Sequence, residues 1–335
     1  MVTRRIAMLG AGSWGTALAI LLAKSGHHVV LWARRPEAAE AMRRTRRNPT
    51  YLTSALLPDS ISITSDIREA VQDRDMWVFA MPAQAVRACA MQVREETGND
   101  LVYVSVAKGI EIGSLYTTTG VLADVLQSVP PERLGVLSGP SHAEEVAEEK
   151  PTTVVAAARS EDTVAEIQSV FAAPRFRVYR NSDLLGVEIA GSVKNVMALA
   201  AGIGDGLGYG DNTKSAILTR GLAETQRLGL AMGAKESTFA GLAGLGDLVV
   251  TCMSRYSRNR YVGERIGQGA SPEAIQQEMN MVAEGMSTAD SVYRLAGRYD
   301  VEMPITEAVY HILFEGMAPR DAVEGLMARG LKQEG

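Results

Sequence analysis

Cysteine is almost missing from this chain: 335 residues carry only Cys89 and Cys252, far apart in sequence. That excludes a disulfide framework and, without metal-ligand spacing, a cysteine-based metal site, so a reducing compartment and no metal are expected. Histidine is equally scarce, with His27, His28, His142 and His311 as the whole supply of imidazole. No run of 18 uncharged apolar residues is present, which argues against a membrane span. The first residues enter an apolar strand within about five positions, with no long hydrophobic leader, and the expected location is the cytoplasm. Positive charge is not in excess either, since the net charge is −5 and the pI about 5.6. A global basic field for nucleic acid is therefore excluded, and the cluster Arg43, Arg44, Arg46 and Arg47 reads as a solvated face or loop.

What the chain does have is 46% apolar residues in a length suited to about two domains. Ile6-Ala7-Met8-Leu9 runs into Gly10-Ala11-Gly12-Ser13-Trp14-Gly15-Thr16-Ala17, a G-x-G-x-x-G turn between an apolar strand and a small-residue helix. There Gly10 permits the tight bend, Gly12 lets backbone approach a pyrophosphate and Gly15 lets helix pack on strand, so a dinucleotide is expected over the helix N-terminus. Lys24-Ser25-Gly26 closes that helix, and His27-His28-Val29-Val30-Leu31-Trp32-Ala33-Arg34-Arg35 holds a short apolar run that suits the next parallel strand. Where an NAD-selective fold usually places an acidic residue for the ribose 2′-hydroxyl, this chain has Arg34 and Arg35, with no carboxylate until Glu37. Guanidinium forks suit a 2′-phosphate, so tolerance of or preference for NADP(H) is expected; two solvated arginines at a strand end are the alternative.

Further apolar runs at Met76–Met81, Leu101–Val106, Leu134–Leu137 and Thr152–Ala157 alternate with helical stretches, an α/β pattern of doubly wound type. After Asp183 the pattern turns to long helical segments with glycine-rich connections. The expected division is a dinucleotide-binding α/β domain over residues 1–187 and an all-α domain over residues 188–335. Helices are expected from Asp211 to just before Gly233, from Pro272 and from about Ser287.

The stretch from Ile189 to Ala201 contains a single charge, Lys194, and its own helix offers no carboxylate at three- or four-residue spacing. A desolvated lysine has a lowered pKa and suits proton transfer to a developing alkoxide, whereas a lysine snorkelling to the surface does neither. Ser254-Arg255-Tyr256-Ser257-Arg258-Asn259-Arg260 suits a phosphate, with Ser257 capping a helix from Arg258; an exposed basic helix start is the alternative. Gly241-Leu242-Ala243-Gly244-Leu245-Gly246-Asp247 reads as a loop of close backbone approach ending in an acceptor for a substrate hydroxyl. At strand ends, Lys108 supplies a point charge, and Gly139 and Ser141 a close backbone and a hydroxyl.

Taken in order, the motifs around Gly10, Lys108-Gly109-Ile110-Glu111, Ser138-Gly139-Pro140-Ser141, Lys194-Asn195-Val196, Asp205-Gly206, Thr219-Arg220-Gly221, Gly241–Leu248 and Ser257-Arg258-Asn259 carry a resemblance over nearly the whole chain. The chain resembles the bacterial-type NAD(P)-dependent glycerol-3-phosphate dehydrogenases. The resemblance implies a Rossmann-like N-terminal domain, a helical C-terminal domain, a homodimer and reversible reduction of dihydroxyacetone phosphate to sn-glycerol 3-phosphate for glycerophospholipid synthesis. It implies Lys194 as proton donor and acceptor, with substrate contacts from Lys108, Gly139, Ser141, Lys194, Asp247, Ser257, Arg258 and Asn259. Implied cofactor contacts, besides Gly10, Gly12 and Gly15, are Ser13, Trp14, Arg34, Arg35, Lys108, Ala143, Arg258, Val282 and Glu284. Two positions depart from the family pattern: His142 stands where Phe is common, and Tyr51-Leu52 is followed by Thr53-Ser54 rather than Pro-Gly. A related 3-hydroxyacid or sugar-acid dehydrogenase, binding a carboxylate through the same basic residues, and a nicotinamide-binding sensor without catalysis are the other readings.

Overall fold

A strand buried on both faces must be apolar throughout, and Ile6-Ala7-Met8-Leu9 and Met76-Trp77-Val78-Phe79 are fully buried along their lengths. A computed structural model of the chain describes residues 2–278, 283–331 and 333. Its strands in chain order are β1 (Arg5–Leu9), β2 (His28–Trp32), β3 (Arg47–Asn48), β4 (Leu52–Leu56), β5 (Ser62–Thr64), β6 (Met76–Phe79), β7 (Val102–Ser105), β8 (Leu134–Ser138), β9 (Thr152–Ala158) and β10 (Phe176–Asn181). Among the described residues eight strands form one sheet in the order β10-β9-β8-β7-β6-β1-β2-β5. Side-chain alternation sorts β1 and β6 between two cores: Ile6, Met8, Met76 and Val78 face one, and Ala7, Leu9, Trp77 and Phe79 the other.

The order reverses between β1 and β6, which pair in parallel as β1 also does with β2. Turns leaving the carboxyl ends of these strands therefore meet at one edge, where open α/β sheets bind ligands. The doubly wound Rossmann-like sheet expected from the sequence is present, with differences. β8 and β9 are antiparallel, because the intervening helix Ala143–Ala147 is short and the chain doubles back beside β8 instead of crossing over. The strands β5 and β10 and the hairpin β3–β4 stand outside the expected set.

From Leu184 the chain continues as a helix to Gly206, buried at all but three of its 23 positions. It is long and apolar enough to span a bilayer, but 89% of its apolar window is buried within this structure, as in a core helix. Small residues let a neighbour reach its backbone. A Cβ at Gly202 would lie 2.0 Å from the Arg260 carbonyl oxygen, and one at Gly263 2.1 Å from that of Leu199. The helix Arg258–Gly267 is thus held backbone to backbone against the central helix, which fixes where Ser257, Arg258 and Asn259 stand. Asp211–Ala231 and Pro272–Glu278 match the expected helices, whereas the one expected near Ser287 begins at Glu284 and ends at Arg298.

One buried carboxylate ties the central helix to the sheet half. Glu188 accepts from Thr117 Oγ1 (2.9 Å), Thr118 Oγ1 (3.0 Å), Thr119 N (2.8 Å) and Thr119 Oγ1 (2.5 Å), all at the N-terminus of the helix Thr118–Val125. Burial pushes its pKa up, against the threonine donors. Glu188→Ala orphans these donors and is expected to cost on the order of 3 kcal/mol in denaturant unfolding. A loss under about 0.5 kcal/mol, the scale of a surface change, contradicts this clamp.

Candidate functional site

The glycine turn is shaped by contact. Gly10 has φ of +122°, and a Cβ there would lie 2.4 Å from the Ala80 carbonyl oxygen; one at Gly15 would lie 2.0 Å from that of Gly10. At Gly12 a Cβ would meet nothing within 4 Å, so space is open beside the start of the helix Ser13–Lys24, which carries no side-chain cap. An open space at an uncapped helix N-terminus fits a dinucleotide pyrophosphate. The Ser13 hydroxyl donates to the Tyr51 carbonyl oxygen at 2.7 Å. The Trp14 ring packs 6.5 Å from Phe176, with its Nε1 buried and unpaired. Arg34 and Arg35 are exposed just beyond β2, Arg35 Nε lying 3.9 Å from Glu37.

At the same edge, loops after β7 and β8 bring Lys108 and Gly139 to the central helix. Lys108 Nζ donates to the Gly139 carbonyl oxygen (3.0 Å) and to Asp247 Oδ2 (2.7 Å). Lys194 Nζ donates to Asp247 Oδ1 (2.5 Å) and to Thr251 Oγ1 (2.8 Å). Lys194 is only 7% exposed and Asp247 1%. Burial pulls the Lys194 ammonium down to about 8; Asp247 opposes this and Lys108 adds to it. Burial alone would raise the Asp247 carboxyl, but the two lysines overcome it and hold its pKa below the usual value. Lys194 is therefore buried and paired rather than snorkelling, and its partner comes from another helix.

Asp247 itself opens the helix Asp247–Met253. The preceding segment keeps the close backbone approach expected of its glycines, a Cβ at Gly244 lying 2.0 Å from the Phe239 carbonyl oxygen, but it is not a loop: Leu242–Gly246 is a π-helical turn leading into that helix. With both oxygens turned to lysines, Asp247 orients cations rather than standing as an unengaged acceptor.

Among the other residues named from the sequence, His142 and Glu284 feel the charges of Lys194 and Lys108. Gly139 has φ of +126°, and Ser141 Oγ donates to its carbonyl oxygen at 3.1 Å. His142 lies 5.7 Å from the Tyr256 ring; burial first, then Lys194, lowers its pKa, which favours neutral imidazole. Ala143 is buried at the start of the following helix. Ser257 caps the helix Arg258–Gly267 as expected, accepting from Arg260 N at 3.2 Å, and Arg258 is exposed beside it. Glu284 Oε1 accepts from Ala83 N at 2.9 Å; burial raises its pKa against Arg258, Lys108 and Lys194. Val282 lies outside the described residues.

Two residues given no role by the sequence take part. Asn195 Nδ2 donates to the Lys108 carbonyl oxygen at 3.2 Å, and Asn195 Oδ1 accepts from Asn259 Nδ2 at 2.9 Å. Asn259 Oδ1 accepts from Gly285 N at 2.9 Å, so the amide expected on substrate also joins three elements. Thr251 hydrogen-bonds Lys194 and donates to the Asp247 carbonyl oxygen at 2.6 Å. Its position four residues after Asp247 marks it as a neighbour only once Asp247–Met253 is seen to be a helix.

Residues 5–164 match the family model for the NAD-dependent glycerol-3-phosphate dehydrogenase N-terminus, and residues 183–324 that for the C-terminus. A Salinibacter ruber protein named glycerol-3-phosphate dehydrogenase [NAD(P)+] 2 is 56% identical, covering 98% of this chain and 96% of its own length. Chlorobium luteolum glycerol-3-phosphate dehydrogenase [NAD(P)+] is 52% identical over 98% of this chain and 99% of its own. The crystal structure of Coxiella burnetii glycerol-3-phosphate dehydrogenase superposes with a TM-score of 0.93 at 38% identity, covering 98% of this chain and 99% of that one. A Rossmann-like sheet, an open glycine turn and a paired buried lysine thus agree with homology along both halves, and the chain belongs to the NAD(P)-dependent glycerol-3-phosphate dehydrogenase family.

Proposed function

We propose that Lys194 is the proton donor and acceptor of this NAD(P)-dependent oxidoreductase as it interconverts dihydroxyacetone phosphate and sn-glycerol 3-phosphate. The observation that carries this reading is the buried Lys194–Asp247–Lys108 cluster. An ammonium has three N–H donors, and Asp247 and Thr251 take two of those on Lys194, leaving one for a substrate oxygen. The nicotinamide, when bound, supplies or takes up the hydride at the substrate carbon. Lys194 then gives its proton to the oxygen that becomes alkoxide, and recovers it in the reverse direction. A group titrating near 8 suits both directions: reduction needs the ammonium and weakens above that pH, whereas oxidation needs the amine and strengthens. Lys108 beside Lys194 leaves the cluster one positive charge in excess over Asp247, which favours the developing oxyanion.

In this reading Gly139, Ser141 and Asp247 complete the pocket, and Ser257, Arg258 and Asn259 receive the phosphate at a helix N-terminus. Gly10, Gly12, Ser13, Trp14 and Gly15 cradle the pyrophosphate, Arg34 and Arg35 take the 2′-phosphate of NADPH, the preferred cofactor, and Lys108, Ala143, Arg258, Val282 and Glu284 complete its site. Residues 1–187 form the cofactor domain and residues 188–335 the catalytic domain, in a cytoplasmic homodimer that does not insert in membranes and supplies phospholipid synthesis.

Lys194→Ala is expected to lower kcat for dihydroxyacetone phosphate reduction by about 10²-fold or more with NADPH binding intact. Near-normal turnover removes Lys194 from this role. For the cofactor, kcat/KM is expected to be higher with NADPH than with NADH, and Arg34→Ala with Arg35→Ala is expected to lower the NADPH value by about tenfold with little effect on NADH. Equal or better efficiency of the wild type with NADH contradicts the preference.

A further inference from the structure

We propose that Asn48 is a positioning residue of the dinucleotide site, fixing the peptide between Ala11 and Gly12 so that the glycine turn presents its N–H rather than its carbonyl to the cofactor. The inference rests on the cofactor reading above. Asn48 sits in β3, in the antiparallel hairpin where it pairs with Leu52 of β4. Its side chain is 3% exposed and all its polar capacity is directed. Nδ2 donates to the Ala11 carbonyl oxygen at 2.9 Å and to Thr16 Oγ1 at 2.8 Å. Oδ1 accepts from Thr50 N at 3.3 Å and Tyr51 N at 3.1 Å, closing the hairpin turn. A second tie runs back from the Ser13 hydroxyl to the Tyr51 carbonyl oxygen. The hairpin therefore grips the turn on both sides of Gly12, the position with open space beside it.

The chemistry follows from the planar trans peptide, in which C=O and N–H point to opposite sides. Holding the Ala11 carbonyl on the Asn48 side sends the Gly12 N–H away from it. A carbonyl turned the other way would set a negative dipole end against a pyrophosphate. The hairpin is braced independently of Asn48: Arg47 Nη1 donates to the Thr53 (3.2 Å) and Ser54 (3.1 Å) carbonyl oxygens, and Arg46 Nη2 to those of Pro58 and Ile61. Asn48 thus links a scaffold with its own anchors to the turn that meets the cofactor.

Asn48→Asp separates the two halves of this role, because a carboxylate still accepts from Thr50 and Tyr51 but repels the Ala11 carbonyl. The test measures NADPH affinity by fluorescence titration, steady-state kinetics and melting without cofactor. Expected is a rise of about tenfold or more in Kd and KM for NADPH, with kcat at saturating NADPH and KM for dihydroxyacetone phosphate within about twofold of wild type. Thr16→Val, which removes only the second acceptor, is expected to give a smaller rise and decides the matter if Asn48→Asp does not fold. Wild-type NADPH affinity in the folded variants, or a fall in kcat without a change in affinity, overturns the assignment. A wild-type protein that binds neither NADPH nor NADH overturns the cofactor reading instead.

Discussion

A carboxylate removed from water must be neutralised by its surroundings, and Asp247, 1% exposed, takes one lysine on each oxygen. Those lysines come from different parts of the fold: Lys108 follows β7 of the sheet, and Lys194 sits mid-way along the central helix. Meeting at Asp247, they fix the distance between the sheet edge and the helical half. Removing one partner of such a pair typically costs about 3–5 kcal/mol, because the remaining charge stays buried. The same arrangement sets the chemistry, since one anion between two cations keeps an ammonium inside the protein while desolvation brings it to a useful pKa.

Around that cluster the helices share an apolar core and also approach one another backbone to backbone. Gly202 and Gly263 let the helix Arg258–Gly267 press against the central helix, and the Asn195–Asn259–Gly285 hydrogen bonds lock the start of that helix to its neighbours. The carbonyl of Lys108 enters the same chain through Asn195. Groups proposed for phosphate, proton and cofactor are therefore mechanically connected, and a small displacement of one helix reaches all of them.

The elements legible from sequence were those whose cause is local. Fully buried parallel strands leave continuous apolar runs, as at Met76–Phe79, and the glycine turn announces its geometry through residue type alone. The strand β10 leaves a fainter mark: Phe176 and Val178 are buried and Arg177 and Tyr179 exposed, an edge-strand alternation easily lost among charged residues. The three-residue β5 is too short to leave a pattern. At the site, Lys194 stood out as a lone charge on an apolar helix, but its partner lies 53 residues away on a helix masked by glycines that read as a loop. Asn48 was hidden for the same reason: its partners are 37 and 32 residues distant, and nothing local marks them.

Because everything converges on the charge state of Lys194, the decisive measurement is titration of its side chain by NMR, with labelled lysine assigned through Lys194→Arg. The ammonium is predicted to titrate near 8 in the wild type and lower in Asp247→Asn, where the opposing negative charge is gone. Titration at the ordinary lysine value in the wild type, or no downward movement in Asp247→Asn, means that Lys194 is neither desolvated nor held by Asp247.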